Sequence, residues 1–271
     1  MKPDSQHLKP ETLLMGIVNV TPDSFYDGGQ FTNLNTATQH AKQLITEGAD
    51  IIDIGGESTR PGASPITVED EINRTIPLIK ALKDCGKIIS IDTRHADVMQ
   101  AAIDMGARMI NDVSALTHDP GALDVVKNSK AEIVLMHMQG TPETMQKDPQ
   151  YKNVVEDIYA YLAGRIDVCV KAGINQNKII VDPGIGFGKT VEHNLELLRN
   201  IPRLKQLGCR VLIGVSRKSF IGKLYGDIPA SERLPGSLAA AVHAVQQGAD
   251  ILRVHDVKET KQSLEVATAL I

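Results

Sequence analysis

Tryptophan is absent from this chain, and aromatic residues make up only 3% of it. A ligand held between several aromatic plates is thereby unlikely to be its business; a flat ligand would need an arginine or a lone phenylalanine to lie against. Cysteine is nearly as scarce. Cys85, Cys169 and Cys209 stand far apart, with no Cys-x-x-Cys and no disulfide framework, as expected of small core residues in a reducing cytoplasm. There is no excess of positive charge either. The net charge is −4 and the pI is near 6.1, so no bulk field favours nucleic acid or a membrane surface. No run approaches the roughly 18 consecutive apolar residues that a bilayer span requires. Residues 1–11 carry no apolar stretch and read as a polar tail, not a signal peptide.

What is present is a repeated pattern. Eight short, β-branched apolar runs each end on a polar residue. The run from Leu13 ends at Asn19, and that from Ile51 leads through Asp53 to Glu57. Those from Ile88, Met109 and Ile133 end at Asp92, Asn111 and His137. Those from Ile179, Val211 and Ile251 end at Asp182, Ser216 and Arg253. Runs of this length and composition suit parallel strands buried on both faces. Helical stripes lie between them: Ala37, Ala41, Leu44 and Ile45; Val68 to Leu82; Val98, Ala101, Ala102 and Met105; and Leu195, Leu198 and Leu204. Thr67 with Asp70 predicts the start of the second stripe, and Pro77 inside it predicts a kink or an early end. Gly48, Gly106 and Gly248 open three similar hexapeptides, each after a helical stripe and before a strand, where a left-handed residue ends the helix. This alternation predicts a (β/α)8 barrel over residues 12–271 as one domain, with the polar strand ends gathered at its mouth. The alternative, an open doubly wound sheet, would spread them along a crevice. Two Gly/Pro-rich connections, 21–29 and 57–65, are long enough to be lids.

The strand ends differ in chemistry. Asp92, Asn111 and Asp182 offer acceptors and one donor on rigid elements, a set suited to the N–H edge of an aminopyrimidinone. Arg253 and His255 fall on one side of the last strand and, with Ser216, read as two cations and a hydroxyl for an oxyanion or diphosphate. Lys218 could instead form a Schiff base, which keeps a lyase reading open. The Gly-rich run Pro183 to Thr190 resembles a nucleotide loop but has Pro183 where the first glycine belongs. Its glycines are expected to let backbone approach a ligand, with Phe187 as an apolar cover. His137 is a lone histidine with no His-x-His partner on the first strand, so a metallohydrolase centre is not supported. Asp53 is expected to be structural in the barrel interior, and Glu57 and Asp256 to pair with neighbouring bases.

Eight segments in order resemble the signatures of dihydropteroate synthases. They include Met15–Phe25 (MGIVNVTPDSF), Asp53–Gly62 (DIGGESTRPG), Ser90–Thr93 (SIDT), Asp182–Lys189 (DPGIGFGK), Ser216–Ser219 (SRKS) and Arg253–Asp256 (RVHD). The resemblance covers nearly all of the chain from Leu13. It implies the condensation of a (7,8-dihydropterin-6-yl)methyl diphosphate with 4-aminobenzoate in folate biosynthesis, a Mg²⁺ cofactor, inhibition by sulfonamides and a homodimer packed through the late helices. It further implies that Asp92, Asn111, Asp182 and Lys218 hold the pterin in a slot lined by Met136, Phe187 and Gly214. Arg253, His255 and Asn19 would face the diphosphate, with Asn19 on the metal. Phe25, Thr59, Arg60, Pro61 and Ser216 would surround 4-aminobenzoate. Three rivals remain at this point: a pterin-binding methyltransferase barrel, the Schiff-base lyase, and a non-catalytic pterin carrier.

Overall fold

Each of the eight apolar runs forms a strand, and together they close into a barrel of purely parallel strands in sequence order. The structure is a computed structural model that describes residues 12–20, 30–57, 66–140, 145 and 148–270. The strands are β1 Leu13–Asn19, β2 Ile51–Gly55, β3 Ile88–Asp92 and β4 Met109–Asp112. They continue with β5 Glu132–Met136, β6 Ile179–Asp182, β7 Arg210–Ile213 and β8 Ile251–Val254. The outer ring comprises α1 Gln30–Glu47, α2 Val68–Leu82, α3 Ala96–Asp104, α4 Ala122–Lys127 and α5 Val154–Lys171. It is completed by α6 Val191–Arg199, α7 Ile201–Lys205, α8 Ser219–Leu224, α9 Leu234–Gln246 and α10 Val257–Ala269. The open-sheet alternative is therefore excluded.

Alternation along each strand sorts side chains into two cores. Outward residues pack under the helices in one continuous apolar shell. Inward residues meet at the barrel axis, where Met15, Ile51, Met109, Val134, Ile180, Leu212 and Ile251 form a separate plug. Inward residues of a closed barrel stack in layers, so the next layer up consists of the residues two positions further along each strand. That step gives Ile17, Asp53, Asn111, Met136, Asp182, Gly214 and Arg253, four of them polar. One rule thus turns a dry floor into a polar mouth.

The helix signals read from sequence hold with two corrections. The Thr67 side chain accepts from the Asp70 backbone N–H at 3.1 Å and starts α2. Gly48, Gly106 and Gly248 sit at φ of 109°, 111° and 102°, each leading from a helix into a strand. The first correction concerns Pro77, which does not end α2; the helix runs on to Leu82. An interior proline costs about 3 kcal/mol. Leu78, Ile79 and Leu82 beyond it are all almost completely buried, and each such side chain contributes about 1.5–3 kcal/mol. Burial therefore outweighs the proline. The second correction concerns the stripe Leu195, Leu198 and Leu204, which spans two helices. Asn200 leaves helical geometry at φ −111°, ψ 24°, and Pro202 starts α7.

Helix α2 also carries a buried acid. A Cβ on Gly56 would lie 2.8 Å from Thr75 Cγ2 and 3.0 Å from Glu71 Cγ, so glycine there lets α2 approach the end of β2. Glu71 is 1% exposed; among the described residues neither carboxylate oxygen meets hydrogen-bond geometry, and the Thr93 side chain pulls most against its burial. Burial pushes its pKa up from 4.5 to about 7. The folded chain therefore keeps a proton that the unfolded chain releases at lower pH, and stability falls as pH rises from 4.5 to 7. Glu71→Gln should remove this slope and stabilise the protein at pH 8 by at most about 3 kcal/mol, with little effect at pH 4; urea denaturation at the two pH values measures it.

Candidate active site

The mouth is organised around Arg253. Its Nε donates to Asp53 Oδ2 at 2.6 Å, and its Nη2 donates to Asp92 Oδ2 at 2.7 Å. Asp53 Oδ2 also accepts from Asn111 Nδ2 at 3.1 Å. Register explains the convergence. Asn19 lies beside Gly55, Gly55 beside Asp92, and Asp92 beside Asn111, a row across four strands at the top of the barrel. Burial works against the charge on Arg253, but Asp53 and Asp92 more than offset it, and its pKa is raised. Burial also pushes Asp92 up to about 7, against the pull of Arg253. Asp53, expected to be merely structural, is fully buried as anticipated, yet it holds two of the candidate site residues and belongs to their layer.

Across the mouth, Asp182 is buried and its carboxyl pKa is raised by that burial. Its Oδ1 accepts from the Gly184 N–H at 2.7 Å, which leaves the second oxygen for other donors. The Lys218 ammonium lies 4.1 Å from the centre of the Phe187 ring. Burial and the Arg253 charge lower its pKa to about 8, so it keeps its proton at neutral pH. The glycines of the β6 turn admit the protein's own chain. A Cβ on Gly184 would collide with the His137 carbonyl, and one on Gly188 would lie 2.7 Å from the Gln139 carbonyl. A Cβ on Gly186 would lie 3.0 Å from Lys218 Cδ. Glycine at these positions is what allows the turn to pack on the chain after β5 and on Lys218.

The proposed pair of cations on β8 also changes. Ser216 Oγ lies 3.0 Å from His255 Nδ1 and accepts from the His255 backbone N–H at 3.2 Å. Burial and the Arg253 charge lower the His255 pKa to about 4, so His255 is neutral at physiological pH. The cations of the mouth are Arg253 and Lys218, with His255 and Ser216 as neutral hydrogen-bonding groups. Arg217 points away; its guanidinium makes two bonds, at 2.9 and 2.6 Å, to Asp256. Glu57 is held in the same way by Arg94 at 3.1 and 3.0 Å. Both carboxylates do pair with neighbouring bases.

Of the residues singled out from sequence, Asn19, Asp92, Asn111, Met136, Asp182, Phe187, Gly214, Ser216, Lys218, Arg253 and His255 all stand on strand ends or on the β6 and β7 turns. Phe25, Thr59, Arg60 and Pro61, and most of the two expected lids, lie outside the described residues. Two participants escaped sequence reasoning. Asp53 is two positions beyond Ile51 on the inward face, the same offset as Asn111 from Met109, and that offset was the signal available. Lys189, 3% exposed, had no such signal because its burial depends on the packing of the β6 turn. Among the described residues no group of three or more His, Cys, Asp or Glu is placed to hold a metal ion, and no helix is long and apolar enough to cross a membrane.

Comparison with known proteins converges on one family. The model of the pterin binding enzyme family matches residues 15–255. A dihydropteroate synthase of Synechocystis sp. is 47% identical over 260 residues, which is 96% of this chain and 90% of the relative. The solved structure of Xanthomonas albilineans dihydropteroate synthase with 4-aminobenzoic acid superimposes with a TM-score of 0.90 at 47% identity, covering 96% of this chain and 93% of that one. A Yersinia pestis dihydropteroate synthase with a sulfonamide drug complex gives a TM-score of 0.90 at 44% identity, covering 96% and 94%.

The Arg253 network makes a thermodynamic prediction. Removing one partner of a buried ion pair typically costs about 3–5 kcal/mol. Asp53→Ala leaves Arg253 with Asp92 alone and strips Asn111 of its acceptor, so a loss of about 3 kcal/mol is expected in urea denaturation. Asp53→Asn keeps an acceptor for either donor and should lose less.

Proposed function

This chain belongs to the pterin-binding enzyme family, and we propose that it joins a (7,8-dihydropterin-6-yl)methyl diphosphate to 4-aminobenzoate, releasing diphosphate and giving 7,8-dihydropteroate. Dihydropteroate synthases are transferases of folate biosynthesis, and the sulfonamide complex of a relative makes that drug class an inhibitor to expect here. The observation that carries the reading is the layout of charge in the mouth. Half-buried Asp92 on β3 and buried Asn111 and Asp182 on β4 and β6 share it with the cations Arg253 and Lys218 from β8 and the β7 turn.

Asp182 accepts from the adjacent N–H groups of the aminopyrimidinone edge through the oxygen that Gly184 leaves free, with Asn111 beside it. Met136 and Gly214 line the slot; Phe187 and the Lys218 stem cover it. Arg253 lies against the ring and reaches the diphosphate, where Ser216 and neutral His255 add hydrogen bonds. The C–O bond at the pterin methylene breaks with its electron pair leaving on the diphosphate. The cation left behind spreads into the electron-rich ring, and Asp92 and Asp182 stabilise it. The lone pair of the arylamine then forms the C–N bond, and the surplus proton departs with the diphosphate. A neutral arylamine needs no strong base, so dissociation precedes attack. Ser216 is the described residue that borders the place of the aminobenzoate.

Among the described residues the group assigned to a metal is Asn19, half-buried at the end of β1 opposite Gly55. That suits Mg²⁺, which keeps water and substrate phosphate oxygens as most of its ligands. When bound, Mg²⁺ offsets negative charge on the departing diphosphate. The free thiols of Cys85, Cys169 and Cys209 support a cytoplasmic setting. A homodimer is supported by an apolar groove of 670 Å³ between α6, α8 and α9, lined by Leu198, Phe220, Ile221, Tyr225 and Ala240. Leu224 and Tyr225 flank it and are largely exposed. The run Ala239-Ala240-Ala241 on α9 does not present a single contact face. Ala239 is exposed and Ala240 half-buried, but Ala241 is buried towards the barrel, because consecutive helical residues do not share a face.

The test is incubation with the pterin diphosphate, 4-aminobenzoate and Mg²⁺. Dihydropteroate should form; its absence at saturating substrate would leave a pterin carrier instead. Asp182→Ala should abolish pterin binding in calorimetry, since buried N–H groups then lose a charged acceptor, and unchanged affinity would remove Asp182 from the slot. Lys218, held as an ammonium, should form no imine. Borohydride treatment during turnover should leave its mass unaltered, and a trapped substrate adduct would restore the lyase reading.

A further inference from the structure

Lys189 is a buried cation that the reaction itself does not require. Its ammonium lies 3.2 Å from His137 Nδ1 and donates to the Phe187 carbonyl at 2.8 Å and the His137 carbonyl at 3.4 Å. Burial lowers the His137 pKa to about 3, so its ring is neutral and Nδ1 accepts, with the proton on Nε2. Three N–H donors thus meet three acceptors, two from the chain at the end of β5 and one from the β6 turn. Tyr151 makes a parallel tie, its hydroxyl donating to the Gly188 carbonyl at 2.8 Å. The His137 ring is itself fixed edge-on against Tyr161, with centroids 4.9 Å apart.

The turn held in this way runs from Asp182 to Gly188, between the pterin acceptor on β6 and the residue that covers Lys218. Phe187 supplies both the carbonyl that Lys189 grips and the ring that lies over the Lys218 ammonium. Within the turn Asp182 accepts from the Gly184 N–H at 2.7 Å, and Asn194 Oδ1 accepts from the Gly186 N–H at 2.7 Å. Neither of these reaches β5; the ammonium of Lys189 is the charged group that bonds to both the turn and the end of β5 among the described residues.

We infer that Lys189 is a positioning residue for pterin binding: by pinning the turn after β6 to the end of β5, it holds Asp182 and Phe187 in the arrangement that receives the ring. The balance of forces agrees with this. Burial pulls the Lys189 pKa down to about 7, while Asp182 pulls it back up and Lys218 opposes that pull. A buried amine whose charge is so costly is not there to stabilise the barrel, since an apolar side chain of similar length would pack in the same space without the desolvation penalty.

The inference rests on the pterin reading above, and the test separates the two. Wild type, Lys189→Met, Tyr151→Phe and the double variant are compared for melting temperature, calorimetric affinity for the pterin diphosphate, and KM and kcat for each substrate. Lys189→Met should weaken pterin diphosphate binding and raise its KM by about tenfold or more, with kcat and the KM for 4-aminobenzoate little changed. Tyr151→Phe loses only one hydroxyl and should show the same signature at smaller size, non-additive with the first because both ties hold one turn. A purely structural role would lower the melting temperature of the variants and leave the pterin KM of the folded enzyme at its wild-type value; that result overturns the inference. Should Lys189→Met not fold, Tyr151→Phe decides the matter alone, and a wild-type pterin KM there overturns it equally. A wild-type protein that binds no pterin fails the functional reading itself.

Discussion

Arg253 between Asp53 and Asp92 is the interaction on which the mouth depends. A guanidinium brought to the inside of a barrel loses most of its water, and only carboxylates on facing strands can replace it. Its fork is planar and fixed, so two partners on two different strands set its position and theirs at once. Asp53 also holds Asn111. One buried cation therefore ties together β8, β2, β3 and β4, half of the barrel's strands. An apolar layer would be as stable or more so. That a polar one stands here, directly above a plug of methionine, isoleucine, leucine and valine, marks the height at which the barrel stops being built for stability.

The same layer rule accounts for what sequence could and could not disclose. Asn111, Asp182 and Arg253 were legible because each ends an apolar run, and strand periodicity then fixes the side they face. Met136 and Gly214 precede the polar ends and were legible only through the family resemblance. The interior structural place of Asp53 was legible too, but not its hold on Arg253 and Asn111, which depends on neighbouring strands. The charge of His255 was not legible at all. A histidine at a strand end is a cation or a neutral donor according to its burial and the field of Arg253, and neither is written in neighbouring residues. The break between α6 and α7 was hidden for another reason. Leucines at positions 195, 198 and 204 keep helical spacing across it, while Asn200 and Pro202 divide the segment with no change of face. The packing of the β6 turn was not legible either. Its glycines admit the chain after β5 and the Lys218 side chain, contacts that depend on elements distant in sequence.

The β5–β6 side of the mouth contrasts with the Arg253 side. There the polar residues are joined by side-chain ion pairs across strands. Here Lys189 bonds to carbonyls and a neutral imidazole, and Asp182 accepts from a backbone N–H. The first arrangement fixes charges relative to one another; the second fixes the path of the chain. Both are needed where a ring must lie flat in a slot whose two walls come from different strands, because an error in either charge placement or loop path moves the ring off its acceptors.

Carboxylates and cations are closely matched in the mouth, and that bears on how it handles a reaction that separates charge. Asp53, Asp92 and Asp182 stand against Arg253 and Lys218, with Lys189 beside them in the β6 turn. The pKa of Asp92 and Asp182 is raised and that of Lys218 and Lys189 lowered, so small changes nearby alter their proton affinity. Dissociation of a diphosphate makes the leaving group more negative and the ring positive, with no change in total charge. A site of fixed, interleaved cations and carboxylates can stabilise such a state without reorganising, since groups of both signs are already held in place by the Arg253 network. Water would do the same work by reorienting, at greater cost, and would also capture the cation. The chemistry therefore favours a mouth whose charges are held by the protein rather than by solvent, and the Arg253 network is the means by which they are held.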